Sequence, residues 1–261
     1  MTRLNLIINS VKPAFSSSAT VLEPAGYCYV CGNDGSWQPA QIINDELANT
    51  WSIGSDLRTA FDARESMFCS RCGCSFRLRQ LAECLTYIYG EESLEKLVMK
   101  KTFSSMKIAE INSCGKLHDV FKKLPFLSYS EYGSRDKSVR AEDLSKLTYK
   151  DKTFDLVLTS DTLEHVPNIE KALKEIRRVL KTGGRHVFTV PIIWSRKTNS
   201  RKDQVPSYHG AGEPDYLVFN ELGYDMINMI KKCGFSVKVY KANIINLNDV
   251  AGVIIATRTG D

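Results

Sequence analysis

Residues 142–191, EDLSKLTYKDKTFDLVLTSDTLEHVPNIEKALKEIRRVLKTGGRHVFTVP, restrict the possible folds of this chain more than any other stretch. Residues 154–159 form a short apolar run with the length of a strand buried on both faces, and the run stops at Ser160, Asp161 and Thr162. A cluster of polar groups therefore sits at a strand's carboxyl end. Apolar residues then recur at Ile169, Ala172, Leu173, Ile176, Val179 and Leu180, the spacing of one helix face, with Asn168 placed as N-cap. Glu170 lies near the positive end of that helix, and Arg177, Arg178 and Lys181 near its negative end, as the helix dipole favours. Gly183 and Gly184 predict a left-handed helix stop, and residues 185–190 alternate into a second buried strand that ends at Pro191. The pattern predicts a right-handed parallel βαβ crossover and an α/β fold.

A chain of 261 residues accommodates one large domain, or a domain with a small appendage. The net charge of +5 is mild and its cations are interspersed with acids, so a nucleic-acid partner is permitted but not favoured. The densest basic cluster, Arg196-Lys197 with Arg201-Lys202, reads as a solvated loop. No apolar run reaches the ~18 residues of a membrane span, and residues 4–8 are too short for a signal sequence. A cytoplasmic protein without membrane association is expected.

Eight cysteines in such a setting point to metal or free thiols before disulfides. The phrases YCYVCGNDG and FCSRCGCSFR each hold a Cys-x-x-Cys pair followed by glycine. Two intervening residues let the backbone turn so that both sulfurs reach one ion, while Gly32 or Gly73 relieves the turn. Cys28, Cys31, Cys69 and Cys72 are accordingly the candidate ligands of a structural tetrathiolate zinc, with Cys74 as an alternative to Cys72. The two pairs bracket an insert containing Trp37 and Trp51. Leu78, Leu81, Leu85 and Ile88 then mark one face of a helix, broken at Gly90, that is expected to pack this module against the larger C-terminal part of the chain.

The phrases FDLVLTSDTLEHV, EIRRVLKTGG and FTVP together resemble the central block of class I S-adenosylmethionine-dependent methyltransferases, in the subgroup with a Leu-Glu-His-Val turn after the fourth strand. The resemblance runs from about residue 106 to the C-terminus. The two cysteine knuckles leading into an Arg-x-Arg helix also look like the ribbon that precedes many bacterial members. The resemblance implies a Rossmann-like seven-stranded sheet with helices on both faces in residues 91–261, preceded by a small zinc-ribbon-like region in residues 1–90. It implies S-adenosylmethionine as cofactor.

Strand 106–111 and helix 116–124 flank a turn, Asn112 to Gly115, where the family places a glycine-rich loop around the cofactor's amino-acid part; here Gly115 alone remains. Glu110 stands at the acidic position of that strand, either pairing with the cofactor's ammonium or ordering the loop. Strand 127–130 puts Glu131 where the family's acid grips both ribose hydroxyls, since one carboxylate can accept from two adjacent donors. Asp143 matches the acid that accepts from the adenine amino group, with Leu144 against the ring; an N-cap role for Asp143 competes. Ser160 and Asp161 fall at the methyl end of the cofactor. His165 follows, as a supporting residue of the cofactor site or, less favoured, a base.

The resemblance leaves the acceptor open. The long segment from Pro191 to Phe219 reads as its lid, with His209 and Tyr208 as candidate catalytic or substrate-contacting groups. A small-molecule, sugar or glycan-linked acceptor is the leading expectation. RNA, held through the ribbon, and a non-catalytic binding protein are the alternatives. Residues 216–232, 235–240 and 250–257 are predicted to add a helix, capped by Gly234, and a closing antiparallel hairpin.

Overall fold

The computed structural model describes residues 25–209, 216–241, 250 and 252–260. The chain opens with a ribbon of three antiparallel strands, β1 (Ala25–Cys28), β2 (Asn33–Gln38) and β3 (Phe68–Cys69). Between β2 and β3 the insert forms α1 (Asp45–Thr50) and α2 (Ser55–Glu65). After the ribbon come α3 (Phe76–Tyr89), α4 (Leu94–Met99) and α5 (Lys101–Ser104). Gly90 ends α3 in the left-handed conformation, φ 72°, as its sequence pattern predicts.

The main sheet is built from β4 (Ile108–Ile111), β5 (Leu127–Glu131), β6 (Arg140–Ala141), β7 (Phe154–Ser160) and β8 (Leu180–Thr189). Within it α6 (His118–Phe121) joins β4 to β5, and α7 (Ile169–Val179) joins β7 to β8. Past β8 lie four short strands, β9 (Ile192–Ile193), β10 (Asn199–Ser200), β11 (Tyr208–His209) and β12 (Tyr216–Leu217). The chain then runs through β13 (Asn220–Gly223), α8 (Met226–Lys232), β14 (Phe235–Tyr240) and β15 (Val253–Arg258). The seven-stranded order is β14-β15-β8-β7-β4-β5-β6, and β14 and β15 form the antiparallel edge. This is the Rossmann-like seven-stranded sheet that the resemblance implies.

Alternation along the strands supplies two buried faces. Ala109, Ile111, Val157, Phe188, Ile254 and Ala256 meet the apolar stripes of α7 and α8, while Ile108, Leu156, Leu158, Val187 and Ile255 meet α3 to α6. Each Val, Leu, Ile or Phe side chain among them contributes ~1.5–3 kcal/mol when fully buried. The second cluster continues without a break through Leu78, Leu81 and Leu85 into Cys28, Cys69 and Cys74, so α3 joins the ribbon to the sheet.

Helix α7 starts as expected: the Asn168 carboxamide oxygen accepts from the Lys171 amide at 2.9 Å. Its end differs from the predicted glycine stop. The helix finishes at Val179, and Leu180 is already extended and paired with Phe154. Gly183, φ 76°, lies within β8, where the register with β7 shifts between Phe154 and Leu156. A side chain on Gly184 would come within 2.9 Å of the Lys181 carbonyl, so these glycines let β8 bend rather than end α7. The basic cluster also departs from a solvated loop. Arg201 is buried, and both Arg196 and Arg201 pair with the buried Glu221; only Lys197 and Lys202 face solvent.

Candidate active site

Glu110, Asn112 and Gly115 lie together where β4 leaves the sheet. The buried Glu110 carboxylate accepts from the Cys114 amide at 2.8 Å and meets His118 Nδ1 at 2.7 Å. Burial pushes its carboxyl up, and His118 and the Cys114 amide oppose the rise. These contacts order the turn after β4. Asn112 takes a left-handed conformation, φ 58°, and its side-chain oxygen accepts from the Tyr132 amide at 2.8 Å, tying the turn after β4 to the turn after β5. Gly115, φ 57°, lets α3 approach closely, since a Cβ there would stand 3.1 Å from Leu78. Glu131 ends β5 beside this turn and accepts from the Tyr129 hydroxyl. Asp143 is exposed and accepts from the Ser145 amide at 2.7 Å, and its carbonyl accepts from Lys146. It closes a turn and caps no helix, while Leu144 is buried in the core.

At the end of β7 the site holds groups that sequence reasoning did not single out. The Asp161 carboxylate receives both terminal nitrogens of Arg64, from α2, at 2.8 Å each, and Arg77, from α3, lies 3.2 Å away. Arg77 also donates to Glu65 at 3.0 Å and reaches the Ser160 hydroxyl. Burial alone would raise the Asp161 carboxyl, but the two guanidiniums outweigh it and hold the group well below the usual carboxylate range. The insert between the cysteine pairs thus reaches across the carboxyl ends of the strands. Nothing in the phrase DARES around Arg64 and Glu65 marks these residues, whereas Arg77 belongs to the Arg-x-Arg signature at the start of α3.

Above this network lies a cavity of about 740 Å³. The turn after β4 contributes Ser113 and Gly115, the end of β7 contributes Ser160 and Asp161, and Glu164 and His165 follow. Ile43, Leu47, Trp51 and Phe61 of the insert form an apolar wall, and Pro191, Pro206, Tyr208 and Tyr216 complete the rim. The Trp51 indole N–H donates to Ser207 at 2.9 Å, joining insert to lid. His165 Nδ1 lies 3.0 Å from the Leu217 carbonyl; burial pushes its imidazole down, opposed by that carbonyl. Tyr208, on the rim, is 53% exposed. The His209 backbone pairs with Tyr216, but its side chain lies outside the described residues. Glu131, Asp143 and Leu144 are not part of this cavity's lining.

The ribbon brings Cys28, Cys31, Cys69 and Cys72 together, with their sulfurs all within 4.8 Å of one another. The two knuckles share one geometry: the Gly32 amide donates to the Cys28 carbonyl and the Gly73 amide to the Cys69 carbonyl, each at 2.8 Å, with φ 69° and 68°. A tetrahedral ion with Zn–S bonds of about 2.3 Å needs sulfurs about 3.8 Å apart, and Cys28 and Cys72 lie 3.7 Å apart. The arrangement therefore fits a closed tetrathiolate site with Cys72, and Cys74 stands outside the set. The Arg79 guanidinium stacks on Trp37 at 3.6 Å and donates to the Met67 carbonyl, and the ribbon thiols favour its charge against the cost of burial.

Residues 123–188 match the sequence model of a family described as a methyltransferase domain. Over 60 residues the chain is 37% identical to a sterol 4-C-methyltransferase of Caenorhabditis elegans, covering 23% of this chain and 18% of the relative. Over 38 residues it is 63% identical to a ubiquinone/menaquinone biosynthesis C-methyltransferase of Hydrogenovibrio crunogenus, covering 15% of each chain. The chain spans between 15% and 35% of the length of the curated relatives it matches. Among solved structures, it is similar to a protein of Pyrococcus horikoshii at 20% identity, covering 69% of this chain and 92% of that one with a TM-score of 0.43. A methyltransferase of Clostridium acetobutylicum aligns at 13% identity over 64% and 91% of the two chains, also with a TM-score of 0.43.

Proposed function

We propose that this chain is an S-adenosylmethionine-dependent methyltransferase acting on a small-molecule, sugar or glycan-linked acceptor. The observation that carries the reading is the carboxyl edge of the sheet, where Ser113 and Gly115, in the turn ordered by Glu110 and Asn112, line one cavity with Ser160 and Asp161. Open α/β sheets bind ligands at such an edge. Glu131 is assigned to the ribose hydroxyls, Asp143 and Leu144 to the adenine, and Ser160, Asp161 and His165 to the methyl end. Tyr208 and His209 are assigned to the acceptor.

Methyl transfer from a sulfonium is an in-line displacement: the acceptor's lone pair forms the new bond to carbon as the sulfur–carbon bond breaks, leaving a neutral thioether. The donor is intrinsically activated, so the protein contributes mainly alignment. The insert and the segment after β8 line the cavity on two sides and provide surfaces for that alignment.

The four ribbon cysteines would hold a zinc ion whose thiolate set leaves no open position, so its contribution is to shape. No helix among the described residues is long and apolar enough to cross a membrane. Four cysteines read as metal ligands and four as free thiols support a reducing, cytoplasmic compartment. Incubating the protein with methyl-tritiated cofactor and separate small-molecule, glycan and RNA fractions tests the acceptor class. Label in the small-molecule or glycan fraction is expected, and label confined to RNA would overturn it.

A further inference from the structure

Glu164 is fully buried in the short turn Leu163–His165, yet it lies in the wall of the cavity beside Asp161. Among the described residues no other residue hydrogen-bonds either of its carboxyl oxygens; its own backbone amide is the donor beside it, and His165 Nε2 stands 3.7 Å away. Arg64 and Arg77 are engaged by Asp161 and Glu65. A buried carboxyl that no neighbouring residue hydrogen-bonds is destabilising, and a bound polar group would remove that cost.

We propose that Glu164 hydrogen-bonds the neutral hydroxyl or amide group of an otherwise apolar methyl acceptor, which lies along the insert's wall of the cavity. This rests on the methyltransferase reading and narrows its acceptor class. Burial, reinforced by the negative charge of Asp161, pushes the Glu164 carboxyl well above the usual range, which favours its protonated form. A neutral carboxyl presents one donor and one acceptor side by side, which complements a hydroxyl or an amide. An acceptor bearing a carboxylate would meet the negative Asp161. Ile43, Leu47, Trp51 and Phe61 supply the matching apolar surface, and Tyr208 and Tyr216 flank its opening.

The test uses naphthol, naphthalene and naphthoate as probes, titrated into the full chain by calorimetry with and without S-adenosylhomocysteine. Naphthol is expected to bind about tenfold or more tightly than naphthalene, because a site built for a hydroxyl discriminates against its absence. Glu164→Leu should abolish that preference while leaving naphthalene and S-adenosylhomocysteine binding unchanged. Glu164→Gln, which keeps a donor and an acceptor, should retain it. An unchanged preference in Glu164→Leu, or naphthoate binding as tightly as naphthol, would overturn the proposal. Failure of the wild type to bind S-adenosylhomocysteine would instead overturn the methyltransferase reading, because the titrations without it still report on Glu164.

Discussion

Arg64 and Asp161, 97 residues apart in the chain, form a two-pronged ion pair that clamps the insert onto the end of β7. Both terminal nitrogens lie 2.8 Å from a carboxylate oxygen, and the Arg64 side chain is 2% exposed. Removing Arg64 leaves the Asp161 and Glu65 carboxylates to share Arg77 alone. Arg64→Met is therefore expected to lower unfolding stability by about 3–5 kcal/mol, read by urea denaturation. The double variant Arg64→Met/Asp161→Asn should recover much of the loss, because no uncompensated charge remains.

The cysteine cluster predicts bound zinc in a stoichiometry of one per chain, measured by elemental analysis of protein purified without chelator. Cys69→Ser should lose the metal and lower the melting temperature. Arg77 lies just beyond Cys74 at the start of α3, so metal loss should also weaken S-adenosylhomocysteine binding although the ion lies outside the cavity. Full zinc loss with unchanged melting and binding would refute a shape-holding role.

Glu131 ends β5 with its carboxylate partnered by the Tyr129 hydroxyl. Charge-assisted hydrogen bonds contribute about 1.5–3 kcal/mol each, so Glu131→Ala should weaken S-adenosylhomocysteine binding by about tenfold or more. Unchanged affinity would remove Glu131 from the ribose.

His186 is fully buried in β8, stacked on Phe188 at 4.0 Å, with Nε2 2.9 Å from the Thr159 hydroxyl. Burial pushes its imidazole down to about 3, against about 6.5 in an unfolded chain. Between those values the unfolded state binds the extra proton, so this residue's contribution is intact above pH about 6.5 and is lost as pH falls toward about 3. Glu110 and Glu164, whose carboxyls are raised, act in the opposite direction as pH rises above their unfolded values. The difference between wild type and His186→Phe isolates the histidine: denaturation at pH 7.5 and pH 5.5 should show a shallower acid loss in the variant.

The parts of the fold set by local pattern were legible in the sequence. The apolar run of β7, the Asn168 cap, the stripe of α7 and the two Cys-x-x-Cys-Gly knuckles each dictate their structure within a few residues. The strand order came through resemblance, because pairing of non-adjacent strands leaves no local signal. What escaped notice was long-range. The grip of Arg64 on Asp161 depends on how the insert folds back over the sheet, and the burial of Arg201 depends on Glu221 twenty residues later. The helix end was misplaced because Leu180 continues the apolar spacing of α7, while its backbone is already pairing with Phe154. The burial of Glu164 next to an ionised Asp161 likewise appears only once β7 and its turn are packed.

The central claim is that the carboxyl edge of the sheet binds S-adenosylmethionine. Calorimetric titration of the zinc-loaded protein with S-adenosylmethionine and S-adenosylhomocysteine tests it most directly. The account predicts saturable binding of both ligands, weakened in Glu131→Ala; absence of binding at tens of micromolar protein would contradict it.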